Sequence, residues 1–148
     1  MPLVVKKIEN GTVIDHIPAG LGLEVLGILK IDRNYGARVA LMMNVPSKKV
    51  GRKDIVKVEG KMLDDKSVNK IALIAPNATL NIIRNSNVVE KKVVRLPKEL
   101  RGAFKCPNPE CITNLEPIET LFRMEKPEER RLRCGFCEMA FEAKELLL

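Results

Sequence analysis

The organisation of this chain is decided by CPNPEC at residues 106–111 and CGFC at residues 134–137. These stretches hold all four cysteines of the 148-residue sequence, and 22 residues separate them. Two short-spaced pairs on either side of a loop can place four thiolates around one tetrahedral ion, which is the ligand set of structural Zn²⁺. We therefore expect one structural zinc ion per chain, held by Cys106, Cys111, Cys134 and Cys137.

Disulfide bonds are the competing interpretation of the cysteines, and they need an oxidising compartment. The N-terminal stretch has too few apolar residues for a secretory signal, and no apolar run approaches the ~18–20 residues of a membrane span. A redox CxxC motif is disfavoured because the motif lies in a basic, strand-like stretch rather than at a strand-to-helix junction. We expect a cytoplasmic protein without a membrane partner.

The charge of the chain leaves a nucleic-acid-binding zinc ribbon as the alternative function. The chain carries 26 basic and 19 acidic residues, a net charge of +7. Residues 101–148, however, carry 8 basic and 9 acidic residues, so the cysteine-bearing part lacks the basic surface that such proteins present. There is no Trp, one Tyr and four Phe, which leaves few platforms for base stacking.

The sequence offers no catalytic equipment. His16 is its only histidine, and none of its three serines lies in a GxSxG motif. The glycines of GLGLEVLG (residues 20–27) have the wrong spacing for a dinucleotide-binding turn, and no GxxxxGK[ST] phosphate loop occurs. We expect a non-enzyme whose basic residues, if they cluster, attract a polyanion such as a nucleoside triphosphate.

The first hundred residues alternate in the order strand, helix, strand, strand, helix, strand, with a further strand near 88–94. Two helices on one side of an open antiparallel sheet form an α+β fold of the ferredoxin-like kind. We predict an N-terminal ferredoxin-like domain at 1–97, a linker at 98–103, and a small all-β, zinc-ribbon-like domain at 104–148.

Five stretches together carry a family resemblance, in chain order and over nearly the whole sequence. They are GTVIDHIPAGLG (11–22), NVPSKKVGRKDIVKVEG (44–60), LIAPNATLNII (73–83), CPNPECITNLEP (106–117) and CGFCE (134–138). Together they resemble the regulatory chain of aspartate carbamoyltransferase. GTVIDHIPA and GRKD are the most specific to that family, whereas the cysteine spacing alone would not be.

The resemblance implies a non-catalytic chain that takes part in the control of pyrimidine biosynthesis. In this family the N-terminal domain binds allosteric nucleotides, and the zinc domain docks on the catalytic chain. Regulatory dimers bridge two catalytic trimers. CTP inhibits and ATP activates many members, and UTP assists CTP in some. The expected partners are therefore the catalytic chain, a second copy of this chain and nucleoside triphosphates, with no nucleic acid.

The resemblance also implies roles for individual residues of the N-terminal domain. Ribose and phosphate contacts fall on Asp15 and His16, the base- and ribose-side lysine is Lys57, and the phosphate-side lysine is Lys91 with Asn81 beside it. Lys6 compensates for an upstream lysine that this shorter N-terminus lacks. The base pocket and its carbonyl acceptors are implied at Ile8, Val13, Ile83, Ser86 and Val88.

Two departures from the family pattern bear on these roles. Ser86 stands where well-known bacterial members have a tyrosine, so looser packing of the base is expected. In the zinc domain, Asn108 and Glu138 match family contacts to the catalytic chain, and Glu110 replaces an asparagine there. The resemblance thus implies an interface with the catalytic chain that carries more charge.

Overall fold

The computed structural model describes residues 8–48 and 51–146. The first half holds two helices and five strands: β1 (Gly11–Pro18), α1 (Gly22–Ile28), β2 (Val39–Ser47), β3 (Gly51–Glu59), α2 (Asp65–Ile74), β4 (Thr79–Arg84) and β5 (Asn87–Val93). The second half holds short elements: β6 (Glu99–Arg101), α3 (Ile112–Leu115), β7 (Leu121–Lys126), β8 (Arg131–Cys134), β9 (Ala140–Glu142) and α4 (Ala143–Leu146). No helix within the described ranges combines the length and the apolar character that a membrane span requires.

The first sheet is antiparallel in the order β2-β3-β1-β4-β5. Its first four strands have the arrangement of a ferredoxin-like fold, and β5 adds a hairpin at the edge. Alternate residues of the central strands, among them Ile14, Val56 and Leu80, are buried with residues of both helices in one apolar core. The predicted fold class is confirmed.

The sequence predicts a second helix that begins near Asp64 and ends before Pro76, and α2 forms there. The Asp64 carboxylate caps the helix by accepting from the Ser67 N–H at 2.8 Å, and Pro76 follows two residues after its end. The face formed by Ile71, Ala72 and Ile74 is buried in the first core. Burial of this apolar face and the N-cap therefore both stabilise α2.

Two sequence expectations about boundaries are wrong. The sequence predicts a first helix that begins near Pro18 and runs to about Ile31, but Pro18 is the last residue of β1 and α1 covers only Gly22–Ile28. Lys30, beyond the end of α1, adopts the left-handed region at φ 58°. The sequence also predicts that Pro46 ends its strand, but β2 continues to Ser47. Because β2 lies at the edge of the sheet, the N–H that proline lacks needs no partner strand.

Asp54 joins three parts of the first sheet. Its side chain is fully buried on β3, on the helix side. Oδ2 accepts from the N–H groups of Gly20 and Gly22, both at 2.9 Å, and Oδ1 accepts from the Asn44 N–H at 3.0 Å. A Cβ atom on Gly22 would lie 2.6 Å from Cδ1 of Leu41 and 3.0 Å from the Asp54 carboxylate, so a larger residue here would have to displace the Leu41 side chain.

The second sheet is antiparallel in the order β6-β7-β8-β9 and has its own core. Phe122 and Phe141 meet edge to face there, with ring centroids 6.4 Å apart. Leu100 of β6 is fully buried in the same core, so the segment 98–103 expected as a linker contributes a strand to this sheet.

Helix α2 also reaches the second core. Leu73 is fully buried among the residues of that core rather than the first. The Lys70 ammonium lies 5.7 Å from the centroid of the Phe104 ring, and Nη1 of Arg130 donates to the Ile74 carbonyl at 3.3 Å. One helix thus contributes to both cores.

We expect Asp54→Ala to lower the free energy of unfolding of the first sheet by about 3 kcal/mol, because three backbone N–H groups lose their acceptor. Asp64→Ala, which removes only an exposed helix cap, should cost about 1 kcal/mol. Urea unfolding followed by the fluorescence of Tyr35, the only tyrosine, measures both variants. Equal losses in the two variants would contradict the role assigned to Asp54.

Candidate functional site

The four cysteines form one compact cluster. Their Sγ atoms all lie within 4.8 Å of one another, and the Cys106–Cys137 and Cys111–Cys134 pairs are each separated by 3.8 Å. A tetrahedron with Zn–S bonds of ~2.3 Å has edges of about 3.8 Å. A disulfide would bring the sulfurs to about 2.05 Å. The cluster therefore has the dimensions of a four-thiolate metal site.

Local hydrogen bonds hold the first cysteine turn in shape. The Asn114 side-chain amide donates to the carbonyls of Cys106 and Asn108, at 2.9 and 2.6 Å. Cys111 immediately precedes α3, and its N–H donates to the Asn108 carbonyl at 3.1 Å. In the second turn, the Phe136 N–H points at the Cys134 sulfur at 3.5 Å.

The surroundings shift the pKa values of three of the four thiols. Burial raises the pKa of the Cys106 and Cys134 thiols. Burial acts in the same direction on Cys111, but hydrogen bonds with Thr113 outweigh it and lower the pKa of Cys111 to about 7. A buried thiol with a raised pKa keeps its proton unless a bound cation replaces it, so four thiolates can stand together in this core only around a metal ion.

Arg133 fastens the second cysteine turn to the neighbouring strand. Its guanidinium donates to both carboxylate oxygens of Glu125, at 2.5 and 3.1 Å, and to the backbone carbonyl of Glu138. This hydrogen bonding lowers the pKa of the Glu125 carboxyl. Glu138 itself adopts the left-handed region at φ 63°, directly after the last cysteine.

A row of residues crosses the first sheet on the face opposite the helices. Lys57 pairs with Val13, Val13 pairs with Asn81, and Asn81 pairs with Lys91. Directly paired residues point to the same side of a sheet, so β3, β1, β4 and β5 each contribute one side chain to this row. We call this surface the open face, defined by Val13, Lys57, Asn81 and Lys91.

A second polar group lies beside this row. The Lys53 ammonium is 3.0 Å from the Asp15 carboxylate, and the His16 N–H donates to the same carboxylate at 2.6 Å. Burial raises the pKa of Asp15, but these two partners outweigh it and hold the pKa below its ordinary value. His16 sits at a β-bulge with φ 59°, and its Nδ1 lies 3.0 Å from the Thr79 hydroxyl.

Lys53 and Thr79 were not among the residues predicted from the sequence. Lys53 lies four residues before Lys57 on β3, so alternation along the strand places both on the open face. Thr79 is paired with Asp15 and is therefore identifiable only from the register of β1 and β4. The strand period could have revealed the lysine but not the threonine.

The remaining predicted residues gather at one end of the sheet. Ile83 pairs with both Gly11 and Val88. Ser86 lies in the β4–β5 turn at φ 67°, and its N–H donates to the Glu9 carbonyl at 2.9 Å. Ile8 is half-buried just before β1. Lys6 lies outside the described residues.

The predicted interface residues lie around the cysteine cluster. Asn108 is half-buried in the first turn, whereas Glu110 and Glu138 are exposed beside Cys111 and Cys137. Large apolar side chains are exposed in the same region: Ile112, Leu115, Phe136 and Met139. The cysteine turns thus present an apolar surface with two carboxylates.

Comparisons with known proteins match both halves of the chain. A model of the allosteric domain of the aspartate carbamoyltransferase regulatory chain matches residues 3–95, and a model of its metal binding domain matches residues 98–147. The regulatory chain of Pyrococcus horikoshii is 55% identical over 146 residues, which cover 98% of this chain and 96% of the relative. That of Saccharolobus solfataricus is 55% identical over 138 residues, covering 93% and 87%.

The chain belongs to the aspartate carbamoyltransferase regulatory chain family.

Family membership confirms the resemblance drawn from the sequence. The chain is a regulatory, non-catalytic chain with an allosteric domain and a metal-binding domain, and the name of the family places it in the pyrimidine pathway. The four clustered cysteines lie within the residues that the metal binding domain matches.

Removal of the metal should unfold residues 104–148, because the thiols lie in the second core and metal-binding energy is folding energy there. We expect a chelator to release one metal ion per chain and to collapse the amide NMR signals of this region. Tyr35 fluorescence should stay native, since Tyr35 packs against the first core. Well-dispersed signals from residues 104–148 in the chelated chain would contradict a structural metal.

Proposed function

We propose that this chain is the regulatory subunit that transmits nucleotide control to the catalytic chain of aspartate carbamoyltransferase in the cytoplasm. Residues 1–97 bind CTP, ATP or UTP, and residues 104–148 bind Zn²⁺ and dock on the catalytic chain. The observation that carries the nucleotide part is the row of side chains on the open face, because it aligns two ammonium groups across four strands.

The charged groups suit the triphosphate and the ribose. Lys91 is exposed on the edge strand β5 and donates to the phosphates, with the Asn81 amide as its neighbour in the row. At the other side of the row, Lys57 is half-buried and serves the base and ribose. Asp15 is ionised beside Lys53 and accepts from a ribose hydroxyl. His16 lies next to it and contacts ribose and phosphate.

The end of the sheet suits the base. Val13, Ile83 and Val88 supply apolar surface. The backbone carbonyls of Ile8 and Ser86 accept from the exocyclic amino group of cytosine or adenine, and they repel a keto oxygen at the same place. With serine rather than tyrosine at position 86, the base rests on the turn backbone and on less side-chain surface. Lys6 adds a third ammonium group from the N-terminus.

The cysteine cluster suits zinc and the catalytic chain. Four thiolates at tetrahedral spacing match Zn²⁺ and leave no open position, so the metal stabilises the fold and takes no part in a reaction. Asn108, Glu110 and Glu138 contact the catalytic chain, and the exposed apolar residues beside them supply the buried part of that interface.

The edges of the first sheet suit a second copy of the chain. Every residue of β5 is exposed, and Val88 and Val89 expose 57% and 56% of their surface. On the opposite edge, β2 exposes Met42 and Met43. Apolar edge strands invite pairing with another chain, which supports a regulatory dimer built through the N-terminal domains.

Helix α2 supplies the contact between the nucleotide domain and the zinc domain. Ile71 and Ile74 pack under the first sheet, while Leu73 packs in the second core and Lys70 covers the Phe104 ring. A nucleotide acts only through its different affinities for two quaternary states, typically a coupling of ~1–3 kcal/mol. Movement of α2 under the sheet would reach the zinc domain directly.

Lys91→Ala should weaken CTP binding about tenfold or more, because it removes a charge-assisted contact to the phosphates. Lys92→Ala is the matched control, since Lys92 pairs with the buried Leu80 and so lies off the open face. Isothermal titration calorimetry of the zinc-loaded chain compares the two. Equal CTP affinity in both variants would contradict the assigned site.

Sedimentation velocity tests the assembly. We expect the zinc-loaded chain to form a larger species with the catalytic trimer of the same organism, and chelation to abolish that species because the docking domain unfolds. Glu110→Lys should weaken the complex without releasing zinc. Assembly that survives chelation would contradict docking through the zinc domain.

A further inference from the structure

A groove of about 470 Å³ opens on the helix side of the first sheet, where the second sheet meets it. The end of α1, the middle of α2, residues 103–105 and the end of α4 surround it. Lysine residues and one glutamate line it together with apolar side chains. The helices separate this groove from the open face, and none of its lining residues belongs to the proposed nucleotide site.

The lining carries an excess of positive charge. Lys30, Lys70 and Lys105 line the groove together with one acidic residue, Glu24. Within residues 8–48 and 51–146, none of the three lysines forms an ion pair, although ion pairs bind Lys53, Lys126 and Lys144 elsewhere. Ammonium groups that share a groove repel one another, and a multivalent anion between them relieves that repulsion.

The groove also has an apolar wall. Ile28, Ala103, Phe104 and Leu146 line it beside the lysines. Lys70 is half-buried with its ammonium over the Phe104 ring, which holds this cation at the junction of the apolar and charged parts. The volume of the groove lies within the ~300–1,000 Å³ typical of small-molecule sites.

We infer that this groove binds a small organic anion that combines at least two negative charges with a flat apolar body. The negative charges of the ligand pair with Lys30, Lys70 and Lys105, and its apolar body packs against Phe104 and Ile28. Such a ligand contacts both halves of the chain at once. Lys30 and Lys70 belong to the half that forms the first sheet, and Lys105 belongs to the half that forms the second. This site is independent of the nucleotide proposal and adds a second point at which a metabolite fixes the two units together.

The test uses 1-naphthyl phosphate as probe, titrated into the metal-loaded full chain and followed by the fluorescence of the naphthyl group. The neutral 1-naphthol has the same ring without charge and serves as the matched ligand. We expect saturable binding of the phosphate at millimolar concentrations or below, and about tenfold or more weaker binding of the naphthol.

Variants locate the binding. Lys30→Gln/Lys105→Gln removes two charges from the groove, and Lys66→Gln/Lys98→Gln removes two exposed lysines that do not line it. The first pair should weaken binding of the phosphate at least about tenfold, and the second should leave it unchanged. Lys91→Gln reports on the open face. Circular dichroism melting curves check that all variants fold.

Three results would overturn the inference. They are equal binding of phosphate and naphthol, equal effects of the two double variants, and loss of binding in Lys91→Gln with none in Lys30→Gln/Lys105→Gln. The last result would place the probe on the open face and support the nucleotide site instead. Failure of CTP to bind the open face would leave the groove untouched, so the two proposals fail separately.

Discussion

The buried carboxylate of Asp54 is the constraint on which the first sheet depends. A charge without water is costly unless donors surround it, and here three backbone N–H groups do so. The Gly20 and Gly22 N–H groups lie in the β1–α1 turn and at the start of α1, and the Asn44 N–H lies where the β2–β3 pairing is irregular, so one side chain fixes both segments against β3. The preceding residue, Lys53, points to the opposite side and pairs with Asp15. Two consecutive residues of β3 therefore organise both faces of the sheet.

In the second sheet, the cysteine thiols take the central place that the Asp54 carboxylate has in the first. Cys106, Cys111 and Cys134 are buried with Phe122 and Leu132 in one core, so the cysteine cluster is part of the apolar core. A sheet of four strands, two of them only three residues long, buries little surface by itself. A metal ion held by the four cysteines would compensate for this small size, as metals do in other small domains.

The sequence predicts those features that depend on local spacing. The four clustered cysteines and the acidic start of α2 at Asp64 are features of this kind, and the structure agrees with both. The row through Val13, Lys57 and Asn81 depends on register between distant strands, so the family resemblance pointed to it where periodicity could not. The role of Asp54 cannot be recognised from the sequence, because its three N–H partners come from residues distant along the chain. The prediction that Pro46 ends its strand was wrong because a proline is tolerated in an edge strand, and whether a strand lies at the edge is a property of the whole sheet.

Leu73 carries a consequence for how this chain can be divided. It is covalently part of the first half, yet it fills a place in the core of the second. Cutting the chain near residue 97 would leave Leu73 exposed on the N-terminal fragment and an unfilled cavity in the core of the C-terminal fragment. The two halves are therefore not interchangeable modules: a chimera that joins the first half of one relative to the second half of another must match the side chain at this position to the cavity that receives it.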